Sequence, residues 1–123
     1  MPRSIPNPAQ LAEQAADAVR ELIHETIGRD GYTYAADVDA TLGELSLLAG
    51  RLPQAIDQAR EWLATRAAEG RLGRDESHVE DGLSAALANL SEHLRDAAAL
   101  AGDVGASLDA ARQIASHLTG GAR

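Results

Sequence analysis

Glu21 and His24 stand three residues apart in Glu21-Leu22-Ile23-His24, a spacing that on a helix turns both side chains to one face. Carboxylate-bridged metal bundles use this Glu-x-x-His unit on two helices, with single glutamates from two more. The chain holds no second Glu-x-x-His, so Glu21 and His24 are metal candidates with half a ligand set. A histidine in the last turn of a helix also complements the macrodipole, and that reading suits His24 and His117 equally well. No cofactor is expected.

Other chemistries find less support. There is no cysteine, hence no disulfide framework, thiolate metal site or thiol nucleophile. No strand-to-helix turn offers a Ser or Thr as a nucleophile. Gly70-Arg71-Leu72-Gly73-Arg74-Asp75 lacks both the spacing and the lysine of a phosphate-binding loop. The expectation is a protein without catalytic activity.

Charge narrows the partners. The net charge is −8, from 19 acidic residues against 11 basic ones, and every basic residue is arginine. Affinity for a phosphate backbone comes chiefly from cationic side chains displacing counterions, so direct nucleic-acid binding is not expected. Arginine without lysine, beside a heavy alanine and glycine load, suits the codon bias of a high-GC bacterium. No segment approaches the ~20 apolar residues of a membrane span, and the N-terminus has no apolar core of a signal peptide. A cytoplasmic location is expected.

The elements that would position any site are helices. Residues 1–7, with prolines at 2 and 6 and a third following at Pro8, read as an extended arm, residues 8–119 as one helical domain, and residues 120–123 as a tail. Helix one should begin at Asn7 as N-cap with Pro8 at the first helical position, run through Leu11, Val19, Leu22 and Ile27, and stop at Gly28. Its broad apolar face suggests a helix wedged in a groove. From about Tyr34 to Glu69, Val38, Leu42, Leu45, Ala49, Leu52, Ile56, Ala59 and Leu63 follow a 4,3,4,3 spacing. After a polar turn at 69–77, with Asp75 or Ser77 as the next N-cap, Leu83, Leu87, Leu90, Leu94, Ala97, Ala101, Val104, Leu108, Ala111, Ala115 and Leu118 repeat the pattern. Two matching stripes joined by a short turn bury themselves by folding back as an antiparallel hairpin. The fold class is therefore all-α, a long hairpin with an N-terminal helix packed along it. It counts three helices if Gly50, Pro53, Gly102 and Gly105 are passed through and five if they break the chain.

The chain has no phenylalanine and one tryptophan, yet both its tyrosines fall in the connection Asp30-Gly31-Tyr32-Thr33-Tyr34, with Thr33 as the expected helix cap. Rings there either plug the end of an alanine-lined bundle or form a contact surface. Tyr34, inside the first turn, is expected to pack inward and Tyr32 to be the more exposed. Trp62 flanks its stripe, and Leu47 lies opposite it, where a monomer has no use for a leucine. With Leu48 they form the candidate interface: Tyr32, Tyr34, Leu47, Leu48 and Trp62.

The alanine-rich hairpin over Val38 to Leu118 resembles the small helical-hairpin proteins exported by type VII secretion in actinobacteria. That family carries Trp-x-Gly in the hairpin turn, whereas Trp62 here is followed by Leu63 and Ala64, and the C-terminal Tyr-x-x-x-Asp/Glu export signal is missing. The resemblance thus implies the hairpin more than the export.

These readings converge on a non-enzymatic protein-binding module, an adaptor or regulatory partner that also associates with itself as a homodimer. Two alternatives stand beside it. One is an acidic mimic that occupies a nucleic-acid-binding protein, using Asp75, Glu76, Glu80 and Asp81; the other is a small metal-binding bundle built on Glu21 and His24.

Overall fold

The computed structural model describes residues 5–73 and 82–121. Their order is α1 (Pro8–Glu25), α2 (Ala35–Ala68) and α3 (Leu83–Ala115), with no strand among the described residues. The fold is all-α, and α2 and α3 form the long hairpin.

Each helix end has a local cause. Asn7 accepts from the Gln10 backbone N–H at 2.8 Å while its own N–H donates to the Gln10 side chain at 2.9 Å, and Pro8 follows at the first helical position. α1 stops at Glu25, two residues before Ile27, because Thr26 closes it: its backbone N–H and its hydroxyl both donate to the Leu22 carbonyl, at 3.0 and 2.7 Å. At the end of α2, Gly70 takes φ +70°. Its N–H donates to the Ala67 carbonyl and that of Arg71 to the Arg66 carbonyl, the paired bonds of a Schellman motif.

Neither Gly50 nor Pro53 divides α2, and neither Gly102 nor Gly105 divides α3, so the count is three helices and not five. α3 ends at Ala115, short of Leu118, and His117 lies just past the helix. The expected N-caps Asp75 and Ser77 fall outside the described residues; α3 starts after Gly82, whose φ is +71°.

In heptad terms the seam of α2 takes position a (Asp39, Ser46, Pro53, Arg60, Ala67) and position d (Leu42, Ala49, Ile56, Leu63). That of α3 takes a (Ser91, Ala98, Gly105, Arg112) and d (Leu87, Leu94, Ala101, Leu108, Ala115). The stripes read from the sequence were the d and g positions. The d half faces the partner helix as expected, and the other half of the seam comes from a.

The two helices approach closely at mid-length. A Cβ built on Gly105 would stand 3.3 Å from the Gly50 nitrogen and 3.6 Å from the Ala49 Cβ. Ser46 donates its hydroxyl to the Gly105 carbonyl at 3.0 Å across the seam. Among the described residues the buried positions are Ala49, Ala98, Gly105 and Ala115, all small.

α1 departs from expectation. It is not wedged in a groove and buries no residue. Val19 and Leu22 are half-covered, but Leu11 and Ile23 are 53% and 61% exposed. An apolar cleft of about 410 Å³ separates it from α2, with Ala15, Ala18, Val19 and Leu22 on one wall and Thr41, Leu45 and Leu48 among the other. The nine residues between the helices, and alanines in place of larger side chains on the wall, leave the two surfaces short of contact.

The seam makes opposite demands on its glycines. Gly105→Leu should lower stability by about 1–3 kcal/mol, because the added side chain has backbone in front of it. Gly50→Ala meets nothing within 4 Å and should raise stability by up to about 1 kcal/mol through helix propensity alone. Chemical denaturation of both variants against wild type measures the contrast.

Candidate interaction surface

The expected site residues do not come together as one patch. Glu21 and His24 share a shallow groove with Asp17 and Arg20, on the polar side of α1. Among the described residues no group of three or more His, Cys, Asp or Glu side chains is placed to hold a metal ion. Asp75, Glu76, Glu80 and Asp81, the carboxylates required of an acidic mimic, lie outside the described residues.

The tyrosines reverse their expected roles. Tyr34 is the more exposed ring, at 54% against 36% for Tyr32. The reason is backbone pairing: Tyr34, and not Thr33, is the N-cap residue of α2, extended at φ −130° and ψ 154°. It pairs antiparallel with Gly121 of the returning C-terminal segment. The Ala35 N–H donates to the Gly120 carbonyl at 2.9 Å, and the Tyr34 N–H donates to the Asp37 carboxylate at 3.0 Å. With its backbone held on both sides, Tyr34 turns its ring outward. This C-terminal clasp needs glycine: Gly121 sits at φ +129°, and a Cβ there would strike the Thr33 carbonyl.

Leu47 and Leu48 are consecutive and so point about 100° apart on the helix. Leu47, 49% exposed, lies between Glu44 and Arg51 on the polar side, apart from Leu48 and Trp62. The expected joint patch of Leu47 with Leu48, Trp62 and the tyrosines is therefore not formed.

A different surface is. Choosing a and d for the seam leaves the flanking g and c positions of both helices outside it, with α1 facing only Thr41, Leu45 and Leu48 of these across the cleft. In an antiparallel pair the g sides of the two helices lie next to each other, so these stripes merge into one face. On α2 it carries Leu45, Leu48, Leu52, Ala55, Ala59 and Trp62. On α3 it carries Leu90, Ala97, Leu100, Val104, Ala111 and Ile114, with Leu118 just beyond the helix. Leu100, Val104, Ile114 and Leu118 are 64%, 52%, 70% and 60% exposed. Within the two helices, c and g hold no Asp or Glu at all, although the chain has 19. The titratable side chains there are Arg66, whose guanidinium stands 5.3 Å over the Trp62 ring, and His93.

Of the candidate residues, Leu48 and Trp62 lie on this face; Leu52, Leu100, Val104 and Ile114 lie on it too and were not among the candidates. Their signal is in the sequence: Leu90, His93, Ala97, Leu100, Val104, Ser107, Ala111 and Ile114 form a second 3,4 register beside the seam. No family model, curated protein or solved structure matches the chain.

Exposure sets the outcome of ring truncation. Tyr32→Ala should lower stability by about 1–2 kcal/mol and Tyr34→Ala by less than about 0.5 kcal/mol, since the more covered ring loses more apolar contact. Thermal melts of the two variants give the order.

Proposed function

We infer that the protein is a non-enzymatic interaction module whose hairpin face, the combined g and c stripes of α2 and α3, binds an apolar helical surface. The observation carrying this reading is the separation of charge from that face. A chain of net charge −8 keeps every carboxylate of its two long helices off one side and lines that side with Leu, Ile, Val, Ala and Trp. Solvated faces of amphipathic helices carry charge, and contiguous apolar patches on a monomer rarely exceed a few hundred Å².

The surface area supports the same reading. A compact 12.9 kDa chain exposes about 6,300 Å². This one exposes 9811 Å², and the margin survives giving the undescribed residues their full extended-chain area. A two-helix layer sealed by four small buried residues has its apolar side chains half in water, and a partner laid on the face would finish their burial.

A tagged-protein capture experiment tests this with two matched variants. Leu100→Asp, on the face, should abolish association with whatever partner wild type holds, while Leu47→Asp, on the polar side, should retain it. Circular dichroism should be the same for all three, because both leucines are exposed in the isolated chain. Equal binding by both variants would sink the reading.

A further inference from the structure

We propose that the occupant of the hairpin face is a second copy of this chain, seated with α3 antiparallel to its counterpart about a two-fold axis at Val104. The proposal rests on the reading of that face as a binding surface and names its partner. Three observations carry it.

The first is a palindrome. From Leu90 on, the g positions of α3, continued past the helix end to Leu118, read Leu90, Ala97, Val104, Ala111, Leu118, the same from either end; Leu83, one heptad earlier, has no mate in the other copy. An isologous interface brings each residue opposite its two-fold mate, so the axis falls on the residue that meets itself. Antiparallel pairing about Val104 sets Leu90 against Leu118 of the other copy, Ala97 against Ala111, and Val104 against Val104.

The second is the register of α2. Gly105 packs at the level of Ser46, Ala49 and Gly50, so Leu48 and Leu52 straddle the level of Val104. The same axis therefore sets Leu48 of one copy beside Leu52 of the other. Both helices fit one operator, and the product is an all-antiparallel four-helix bundle, the arrangement in which each amphipathic helix has two neighbours.

The third is charge and area together. Two copies of a −8 chain repel one another unless they meet where no carboxylate lies, and this face is free of them over the full length of both helices. With the undescribed residues given their full extended-chain area, the exposed area still exceeds that of a compact monomer by roughly 1,000 Å². A standard-size dimer interface hides about 800 Å² per partner, within that excess. α1 lies over the Thr41, Leu45 and Leu48 margin of the face, separated from it by the apolar cleft, and the α3 half, with Leu90, Leu100, Val104 and Ile114 exposed, is open.

The chain contains no cysteine, so single cysteines report proximity without background. Val104→Cys, mildly oxidised, should give a disulfide-linked dimer as its main product, since a residue on the axis meets its own mate within disulfide reach. Leu47→Cys should stay unlinked. Ala97→Cys mixed with Ala111→Cys should link at least about 5-fold more than either alone. Sedimentation should find wild type dimeric at tens of micromolar, with the Leu100→Asp dissociation constant raised more than about 30-fold. Trp62, the only tryptophan, should shift its emission to longer wavelength as that dimer dissociates.

A monomeric wild type overturns the proposal, as does a dimer in which Val104→Cys links no better than Leu47→Cys. If wild type is monomeric and Leu100→Asp still abolishes capture of a different protein, the second copy falls while the binding face stands. If Leu100→Asp and Leu47→Asp behave alike throughout, the face itself falls.

Discussion

The close approach of α2 and α3 at Gly105 is the constraint on which the remaining structure depends. A residue without a Cβ lets the α3 backbone lie against Gly50 and Ala49 without displacing them, and at that distance the Ser46 hydroxyl reaches the Gly105 carbonyl. Once backbones are that near, the seam is made of small residues, and the large aliphatic side chains are displaced to its margins. A seam of this kind gains from dispersion and backbone proximity more than from area, because burying alanine and glycine removes little apolar surface from water.

That displacement is not symmetrical. On one side of the seam, the e positions hold Ala36, Gly43, Gly50, Asp57 and Ala64 on α2 and Ala88, Arg95, Gly102 and Asp109 on α3. On the other, g and c collect nearly all the bulky aliphatics that the seam leaves out. The hairpin is therefore a ribbon with a polar back and an apolar front. A ribbon cannot enclose its own front, whatever the length of its helices, and a single splayed helix such as α1 covers only one margin. The hairpin leaves its front uncovered, and the proposed interaction role rests on that incompleteness more than on any individual side chain.

Ion pairs play a secondary part. Arg112 lies 3.5 Å from Asp39 at the end of the hairpin, and Arg60 and Arg66 pair within α2 with Asp57 and Glu69. All are partly solvated, a setting in which such pairs contribute about 0–1 kcal/mol. The ends are held instead by backbone devices: the Asn7 and Gln10 box, the Thr26 stop, the Gly70 motif, and the pairing of Tyr34 with Gly121.

The sequence by itself determined the all-α class, the two long helices, the N-cap of α1 and the end of α2 near Glu69. Those follow from local chemistry: apolar period, capping side chains, proline and glycine placement. It also showed that one flank of each helix was apolar. The tertiary structure alone decided where on that apolar arc the seam would run. Ser46, Pro53, Ser91 and Gly105 carry no hydrophobic signal, so a reading by apolarity chose Leu45, Leu52, Leu90 and Val104 in their place. What selects the seam is how closely two backbones can approach, a property of the pair of helices and not of either one. The same reason governs the tyrosines, where the outward turn of Tyr34 was fixed by its pairing with Gly121, 87 residues further along the chain. Local sequence sets the shape of each helix; contact between distant segments sets which of its sides is left to bind.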